Sequence, residues 1–496
     1  MKPLVYSLTP YHQSQDKEFE QKHTKIAKAM AANTPHSMEY YGFQRFGVFA
    51  EGATISTFAV FASFCSNIFI FSLFLTPMAQ AETTPNTLSP ETVVQLALAH
   101  SPTLKGRHED LRIATAKRLQ AEAGFKPQLD TRAQAQHFEG LENGTLGPGV
   151  TIPVMDNQYT ASIGITQPLY TGGHLTHQHR STQYDEAASR QTIAAITADI
   201  ELQALTTYWQ WSKALAQIAA FQAAVTRTET QLNDTRNLKK AGLATDNDLL
   251  ANEVLLDQIQ LQLLAAQQQA DMSRIQLTQL TGQEFTPQQS PQKPDAPALT
   301  AFPTLEDALG IALSNRPELA SLHLSAQAQT DLIGAARAEA RPQMALIARY
   351  EQGNPNPRDF PPEDQWRDDA FIGATVTWNL FDGGLTRART AEAKARAARE
   401  EDQTQALCEV ILSETKTAFL SRDYSISRLK TATHAETSAT RNLQVATDLW
   451  KNGTARHSDV LDAQAQLTGA TAQRIAAEAD LLIAEATLKH AIHWGR

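Results

Sequence analysis

Two Gly-Gly pairs have a composition that could serve a phosphate-binding site. Gly172-Gly173 and Gly383-Gly384 each follow a segment of alternating polar and apolar residues and precede a long run without proline. Phosphate-binding loops carry further glycines at fixed spacing or a Lys-Ser/Thr pair, and both Gly-Gly pairs lack these residues. We therefore predict that the glycines are strand-to-helix turns, where they permit a sharp change of backbone direction.

Three histidines follow the first Gly-Gly pair and could be metal ligands. Of His174, His177 and His179, only the first two are spaced to share one face of a helix. The corresponding part of the second half of the chain carries Arg387 and Arg389 instead of histidines. The sequence therefore favours a solvated basic collar over a metal site.

A pair of aspartates, Asp459 and Asp462, lies immediately after a glycine turn. Residues three apart share one face of a helix, so their two carboxylates concentrate negative charge on that face. Alone, such a pair is typical of solvated charges at a helix end.

Catalytic motifs are absent from the sequence. The chain has no H-E-x-x-H, no G-x-S-x-G and no P-loop, and it offers no paired acids in a plausible pocket. We expect that the protein is not an enzyme and has no cofactor.

The overall composition narrows the protein class. With 42% apolar and 19% charged residues, the 496-residue chain is neither a bundle of several membrane-spanning helices nor a disordered acidic polymer. A formal charge of −10 argues against a nucleic-acid partner, which requires a basic surface. Two cysteines exclude a disulfide scaffold and a cysteine-rich zinc site.

Residues 1–81 are predicted to be an N-terminal extension with an export signal. Uncharged residues fill the interval from 52 to 81, which ends in Ala79-Gln80-Ala81 before Glu82. An uncharged apolar core closed by A-x-A is the signature of a cleaved signal peptide, so cleavage is expected after Ala81. The alternative is an uncleaved membrane anchor, because the apolar core is long for a signal.

The rest of the chain contains an internal duplication. We divide it into a first repeat at 82–285, a proline-rich linker at 286–303 and a second repeat at 304–496. Matching landmarks recur in one order: Leu98–Leu104 with Leu313–Leu319, Lys126–Leu129 with Arg341–Met344, the two Gly-Gly pairs, and Asp248 with Asp459.

Each repeat is predicted to contain the same elements. Residues 90–125 and 304–340 have a helical pattern that ends before a proline. Two strands follow in each repeat, near 128–138 and 159–166 and near 343–351 and 370–378, with side chains that alternate between apolar and polar.

Very long helices are expected after each Gly-Gly pair. Residues 175–240 and 385–451 contain no proline, and a helix of that length would extend about 100 Å. Beyond Gly242 and Gly453 a seven-residue repeat predicts that a further helix packs back as a coiled-coil hairpin. The predicted seams are Leu249, Leu256, Leu263, Ala270 and Leu277 with Ile259, Ala266 and Leu280, and Val460, Leu467, Leu481 and Leu488 with Ala463, Ala470, Ala477, Ala484 and Ala491.

Four amphipathic strands are too few for a closed barrel in one chain. Lipid does not tolerate open strand edges, and the smallest outer-membrane barrels have eight strands. Several chains would therefore have to pool their strands. A periplasmic coiled-coil scaffold or adaptor without a channel would share the heptads, but it would not need the apolar strand face.

The order of elements, repeated twice, resembles the TolC-like outer-membrane efflux protein family. The most family-like stretches are Gln167–Gly173, Trp378–Gly384, Asn452–Thr454 and Asp459–Ala463. The resemblance implies a mainly helical homotrimer with a twelve-stranded β-barrel in the outer-membrane lipid, continued by a twelve-helix α-barrel in the periplasm. It also implies an exit duct for tripartite efflux or type I secretion, docked to a periplasmic adaptor and an inner-membrane pump of the ABC or proton-driven type.

The resemblance assigns roles to the two hairpin tips. It implies adaptor-docking tips at Gly242, Leu243 and Asp248 and at Gly453 and Thr454. It also implies that the second tip narrows the entrance, where Asp459 and Asp462 would form the pore constriction. Family members with a closing network often carry arginine directly after Gly-Thr, whereas here Ala455 precedes Arg456.

Overall fold

A computed structural model describes residues 87–140, 142–145, 147–149, 151–152, 154–286, 289–292 and 302–494. The predicted signal and its cleavage site at Ala81 lie outside the described residues, as does most of the predicted linker. The described chain is mainly helical, as predicted, with one sheet of four strands and two short strand pairs.

The two repeats contain corresponding elements in the same order. The first repeat comprises β1 Thr87–Leu88, α1 Pro90–His100, α2 Pro102–Ala123, β2 Gln128–His137, β3 Gly144–Thr145, β4 Thr151–Ile152, β5 Asn157–Tyr170, α3 His174–Lys240 and α4 Asp246–Thr281. The linker and second repeat comprise β6 Ser290–Pro291, α5 Leu305–Asn315, α6 Pro317–Ala338, β7 Gln343–Asn354, β8 Arg367–Thr377, α7 Leu385–Lys451 and α8 His457–Ala491.

The predicted helical segment at the start of each repeat is helical but consists of two helices, with a break that the sequence pattern did not predict. The break falls at Ser101 in the first repeat and at Arg316 in the second, directly before a proline. The proline ring disfavours helical backbone in the preceding residue. At Ser101 the hydroxyl then accepts a hydrogen bond from the Leu104 N–H at 3.2 Å and caps α2.

The long helices are confirmed. Helices α3 and α7 each contain 67 residues, which corresponds to about 100 Å. Both end at a glycine with positive φ, Gly242 at 75° and Gly453 at 72°. Helices α4 and α8 then pack back along them to form two hairpins.

The heptad seams are confirmed in α8 and in part in α4. All five predicted alanines of α8 are buried. In α4 the seam shifts by one position near the tip, because Leu255 is buried in place of Leu256. Two polar residues, Asn252 and Ser273, also lie buried in this seam.

The two repeats build equivalent apolar cores at mid-length of the long helices. In the first core, Tyr208 and Trp211 of α3 pack against Val93 of α1 and Leu277 of α4. The Tyr208 hydroxyl donates to the Leu88 carbonyl oxygen at 2.7 Å, and burial raises the pKa of Tyr208 to about 12. The corresponding second core contains Ala308, Ala312, Leu319, Ile411, Ala418, Leu488, Ala491 and Ile492.

The four long strands form one antiparallel sheet in the order β2-β5-β7-β8. The hairpin of each repeat supplies two neighbouring strands, and the pairing of β5 with β7 joins the repeats. The sheet is open, so β2 and β8 each have one edge without a partner strand within the described chain. Part of the predicted linker is also structured, because β6 pairs in parallel with β1.

Candidate functional site

One face of the four-stranded sheet is apolar and exposed. Alternate residues of β5 point to this face, among them Ile163 and Ile165, and in β8 Ile372 and Val376 do the same. The pairing register places these side chains on one surface, since Ile165 lies opposite Ala348 and Ala348 lies opposite Ile372. At Ile372 the exposed fraction reaches 73%. A sheet with its apolar residues outward lacks the burial that a soluble protein would give them.

The opposite face of the sheet is polar and charged. Asp130, Gly164 and Arg349 lie in one row across three strands. A Cβ atom at Gly164 would lie 3.4 Å from Asp130 Oδ1 and 3.7 Å from Arg349 Nε, so the glycine leaves room for both charged side chains. In the neighbouring row, Glu351 lies opposite Asp369.

Both Gly-Gly pairs have left-handed backbone between a strand and a long helix. Gly172 and Gly173 have φ values of 65° and 93°, and Gly383 and Gly384 have values of 66° and 91°. This left-handed backbone favours glycine and turns each strand end into a long helix. In the first turn, the Arg341 guanidinium donates to the Gly172 carbonyl oxygen at 2.8 Å.

Alanine at the two turns is expected to have unequal effects. At Gly172 an added Cβ would lie 2.7 Å from the Ala338 carbonyl oxygen, whereas at Gly383 it would meet nothing within 4 Å. Gly383→Ala should therefore cost about 1–2 kcal/mol, the cost of left-handed backbone for alanine. Gly172→Ala should cost more, because the backbone carbonyl must also move.

The loss of helical circular dichroism on heating measures this difference in detergent. Gly106→Ala is the matched control, because Gly106 lies inside α2 without a positive φ and with open space around it. We expect the melting temperature to be highest for Gly106→Ala, lower for Gly383→Ala and lowest for Gly172→Ala. Equal losses at 172 and 383 would contradict the contact with Ala338.

The histidines after the first Gly-Gly pair do not form a solvated collar, so that prediction was wrong. His177 Nδ1 lies 2.9 Å from Asp331 Oδ1, and His174 Nδ1 lies 3.1 Å from the Ala335 carbonyl oxygen. Both rings face α6, because the first turn of α3 packs against that helix. The absence of a side chain at Gly334 gives the His177 ring its space.

The arginines at the equivalent place in the second repeat do lie at the surface. Arg387 and Arg389 are both exposed, and Arg389 pairs with Glu339 at 2.6 Å. The two repeats therefore differ here in packing as well as in residue type.

Within the described residues, Asp199, Glu318 and His490 bring potential metal-ligating atoms within 4.8 Å of one another. His490 Nε2 lies 2.8 Å from Asp199 Oδ1, and Glu318 lies 3.2 Å from the buried Arg316 guanidinium. The guanidinium charge opposes a second cation at this place. These side chains therefore form an ionic cluster that ties α8 to α3 and α6.

The first hairpin tip is a glycine turn followed by a capped helix. The Gly242 N–H donates to the Lys239 carbonyl oxygen at 3.0 Å and closes α3. The Thr245 hydroxyl accepts from the Asp248 N–H, and the Asp248 carboxylate accepts from the Thr245 N–H and hydroxyl. The hydrogen bond from the Thr245 hydroxyl is the main reason why the pKa of Asp248 is lowered. Leu243 projects between these elements with 76% of its surface exposed.

The second tip repeats this design with different residues. The Thr454 N–H donates to the Leu449 carbonyl oxygen at 2.9 Å, and Asp459 accepts from the Arg456 N–H at 2.9 Å. Asp459 is therefore the counterpart of Asp248 and caps α8. Asp462 is exposed on the next turn of the helix. The spacing of the two aspartates in the sequence does not indicate the capping role of Asp459.

A buried polar contact joins the two hairpins next to the tips. His457 of α8 lies against Asn252 of α4 and Thr235 of α3. Two turns further, the Gln464 amide donates to the Thr228 hydroxyl at 2.7 Å. This contact was not predicted from the sequence, where its one local signal is Asn252, a polar residue at a seam position.

None of the helices in the described part of the chain has an apolar stretch long enough to cross a bilayer.

Comparison with known proteins identifies the family. The family model of the outer membrane efflux proteins matches residues 93–283 and 308–492, which together form most of the chain. The chain belongs to the outer membrane efflux protein family. Proteins of this family are transport channels, so this outer membrane efflux protein is not an enzyme, and membership implies an outer-membrane location.

Individual relatives are distant in sequence and similar in fold. Outer membrane efflux protein BepC of Brucella suis is 23% identical over 209 residues, which are 42% of this chain and 44% of BepC. CusC, a protein that forms a transmembrane channel, has a TM-score of 0.70 at 16% identity over 81% of this chain and 91% of CusC. The outer membrane protein VceC of Vibrio cholerae has a TM-score of 0.67 at 19% identity over 81% of this chain and 95% of VceC. At such low identity these structures show the fold alone.

Proposed function

We propose that this outer membrane efflux protein is the exit duct of a tripartite efflux or type I secretion system. The observation that carries this proposal is the open four-stranded sheet with an exposed apolar face at one end of 67-residue helices. The sheet would lie in the outer membrane and the helices would extend through the periplasm. A periplasmic scaffold without a channel would not need the exposed apolar face.

The unpaired edges of the sheet support a trimer. Edge strands in lipid leave backbone groups without hydrogen-bond partners, so β2 of one copy would pair with β8 of the next. Two copies would give eight strands, and the interior of an eight-stranded barrel is filled by its own side chains. Three copies give twelve strands and leave a lumen lined by the polar face. The same trimer would assemble the long helices into a twelve-helix α-barrel.

An exposed apolar stripe on α4 also supports assembly. The residues of this stripe lie on the helix face opposite the buried seam: Leu250, Val254, Leu261, Leu264, Met272 and Ile275. A second apolar stripe on a helix already packed on one side indicates a further helical neighbour. We assign that neighbour to an adjacent subunit.

The hairpin tips are the proposed docking sites for a periplasmic adaptor, which would connect the duct to an inner-membrane pump. Gly242 and Leu243 present an exposed apolar turn beside the capping carboxylate of Asp248. Gly453 and Thr454 form the corresponding turn of the second hairpin. A turn held by capping hydrogen bonds loses little conformational freedom on binding, which favours docking there.

The proposed pore constriction consists of Asp459 and Asp462 from each subunit. Three copies would place six carboxylates around one axis, and such rings favour cations in a pore. Both side chains are exposed within one chain, so they are available to face a lumen.

Removal of the two charges is the functional test. Because Asp459 caps α8, Asn is the appropriate replacement: it retains a capping oxygen and removes the charge. We expect the Asp459→Asn, Asp462→Asn protein to lose cation selectivity and block by multivalent cations in planar bilayers, with unchanged trimer formation. Asp248→Asn is the matched control at the first tip and should retain both properties. Unchanged selectivity in the double variant would contradict the constriction, and the absence of any conductance in the unaltered protein would contradict the duct.

The mature chain is proposed to begin at Glu82. An uncharged apolar segment that ends in Ala79-Gln80-Ala81 supports export and cleavage after Ala81. N-terminal sequencing of protein from the envelope should start at Glu82. Retention of residues 56–75 would instead support an uncleaved anchor.

A further inference from the structure

The contact of His457 with Asn252 and Thr235 brings together three elements of the two hairpins. Asn252 and Thr235 are 0% and 1% exposed on α4 and α3, and His457 is 8% exposed at the first position of α8. The His457 ring also packs against Trp450 of α7, with 5.1 Å between ring centroids. The imidazole therefore lies where both hairpins meet, directly behind the tips.

The hydrogen bonds of this cluster fix the direction of each donor. Asn252 Nδ2 lies 3.0 Å from the Asp248 carbonyl oxygen, which can only accept, so the nitrogen and not the oxygen of the amide occupies this position. Thr235 donates its hydroxyl hydrogen to the Gln231 carbonyl oxygen, so its oxygen is an acceptor, and it lies 3.1 Å from Asn252 Nδ2. His457 Nε2 is the nearest of the three, 2.6 Å from Asn252 Nδ2. An amide nitrogen has two hydrogens, so one points to the Asp248 carbonyl oxygen and the other is shared between Thr235 Oγ1 and His457 Nε2. His457 Nε2 can accept this hydrogen only through a free lone pair.

An uncharged imidazole is therefore required for the contact. A protonated ring carries hydrogen on both nitrogens, so Nε2 would oppose the Asn252 amide hydrogens. The positive charge would also lie in the first turn of α8, at the positive end of the helix dipole. The opposed hydrogens and the unfavourable charge both destabilise the packing of α8 against α3 and α4.

Burial and the nearby charges together determine how the His457 ring responds to pH. Burial lowers the pKa of His457 from its ordinary value of 6.5 and is the larger of two effects. The Asp248 carboxylate of α4 has the smaller effect and raises this pKa. The elements α3 and α7 meet the ring through the uncharged Thr235 and Trp450. Nearby charges on α3 and α4 pair with one another, Arg236 with Glu253 and Lys239 with Asp246.

We propose that the His457–Asn252–Thr235 contact is an acid-released latch, which holds the two hairpins together at neutral pH and separates them when His457 is protonated. The role of the latch in conduction rests on the proposed function, because a separated second tip would widen the entrance of the duct.

The sign of the pH dependence follows from proton linkage. An exposed His457 in the separated state takes up a proton near pH 6.5, whereas the packed state resists it. The packed state is therefore fully favoured above about pH 6.5 and loses stability as the pH falls below that value. Each pH unit by which packing lowers the pKa of His457 multiplies the separated-to-packed ratio in acid by about ten for each subunit.

The distance between spin labels on the two tips tests the latch directly. Labelled cysteines at the exposed positions Asn247 and Asn452, in a background in which both native cysteines are replaced by Cys65→Ser and Cys408→Ser, report on the first and second tips. In the detergent-extracted full-length protein, we expect one short distance at pH 7.5 and a growing longer population at pH 5. A distance distribution that does not change with pH overturns the proposal.

Substitutions distinguish the contribution of His457 to the acid response from the contributions of other acid-sensitive groups. His457→Gln supplies an uncharged acceptor at every pH and should keep the short distance at pH 5. Asn252→Asp should also hold the tips together in acid, because a carboxylate accepts from a protonated imidazole. His434→Gln, at an exposed position of α7, is the control and should respond to acid as the unaltered protein does. An acid response of His457→Gln equal to that of the unaltered protein overturns the latch.

Bilayer conductance of the same proteins distinguishes the latch from the duct. If the tip distance responds to acid but no conductance is observed, the latch is supported and the proposed function fails. If conductance is present and the tip distance is independent of pH, the duct is supported and the latch fails.

Discussion

Arginine in place of Ile163 is expected to abolish assembly of this protein in the outer membrane, whereas arginine in place of the neighbouring Ser162 is expected to be tolerated. Both residues lie at the middle of β5, and their side chains point to opposite faces of the sheet. Ile163 belongs to the exposed apolar face that we assign to lipid. Ser162 lies on the polar face between Arg132 and Glu351, which we assign to the lumen.

The expected size of this effect is large because it is repeated in each subunit. An arginine that faces lipid at the bilayer midplane costs about 2–4 kcal/mol, so three copies would cost about 6–12 kcal/mol. The amount of folded protein in isolated outer membranes, compared between the two variants, is the measurement. Equal amounts of the two variants would show that the apolar face does not contact lipid.

Two glutamates in the exposed apolar stripe of α4 are expected to prevent trimer formation. Leu261 and Leu264 lie at the centre of the stripe, on the face opposite the buried Ile259 and Ala266. Burial of a leucine side chain contributes about 1.5–3 kcal/mol, so loss of both removes about 3–6 kcal/mol from each interface. The added carboxylates would also require desolvation.

Gln260→Glu with Gln267→Glu is the matched control for this pair. Both glutamines are exposed on α4 and lie beside the stripe, so the control adds the same charge to the same helix. Cross-linking in mild detergent should give trimers for the control and monomers for Leu261→Glu with Leu264→Glu. Equal trimer yields would show that the stripe is not a subunit interface.

The long elements of this fold could be predicted because they depend on local sequence. The absence of proline between 175 and 240 and the alternation at 159–166 were sufficient for α3 and for β5. The break at Ser101 was missed because a helical pattern continues on both sides of the proline, although the proline itself was visible.

The contacts of the candidate sites could be predicted only in part. Asp459 was recognised as a tip residue, but its capping role becomes clear only when Arg456 is aligned with Thr245 of the first repeat. The partners of His457 and His177 lie more than 150 residues away in the chain. No periodicity or local spacing records such contacts, because helix packing alone brings them together.

In the proposed trimer, three chains complete a channel that one chain leaves open. Native mass spectrometry of the protein extracted from outer membranes in mild detergent is the decisive test of this claim. A single species with three times the mass of the denatured chain is the predicted result. A folded monomer that retains its full β-sheet signal would contradict the claim, because the edges of β2 and β8 would then be stable without partners.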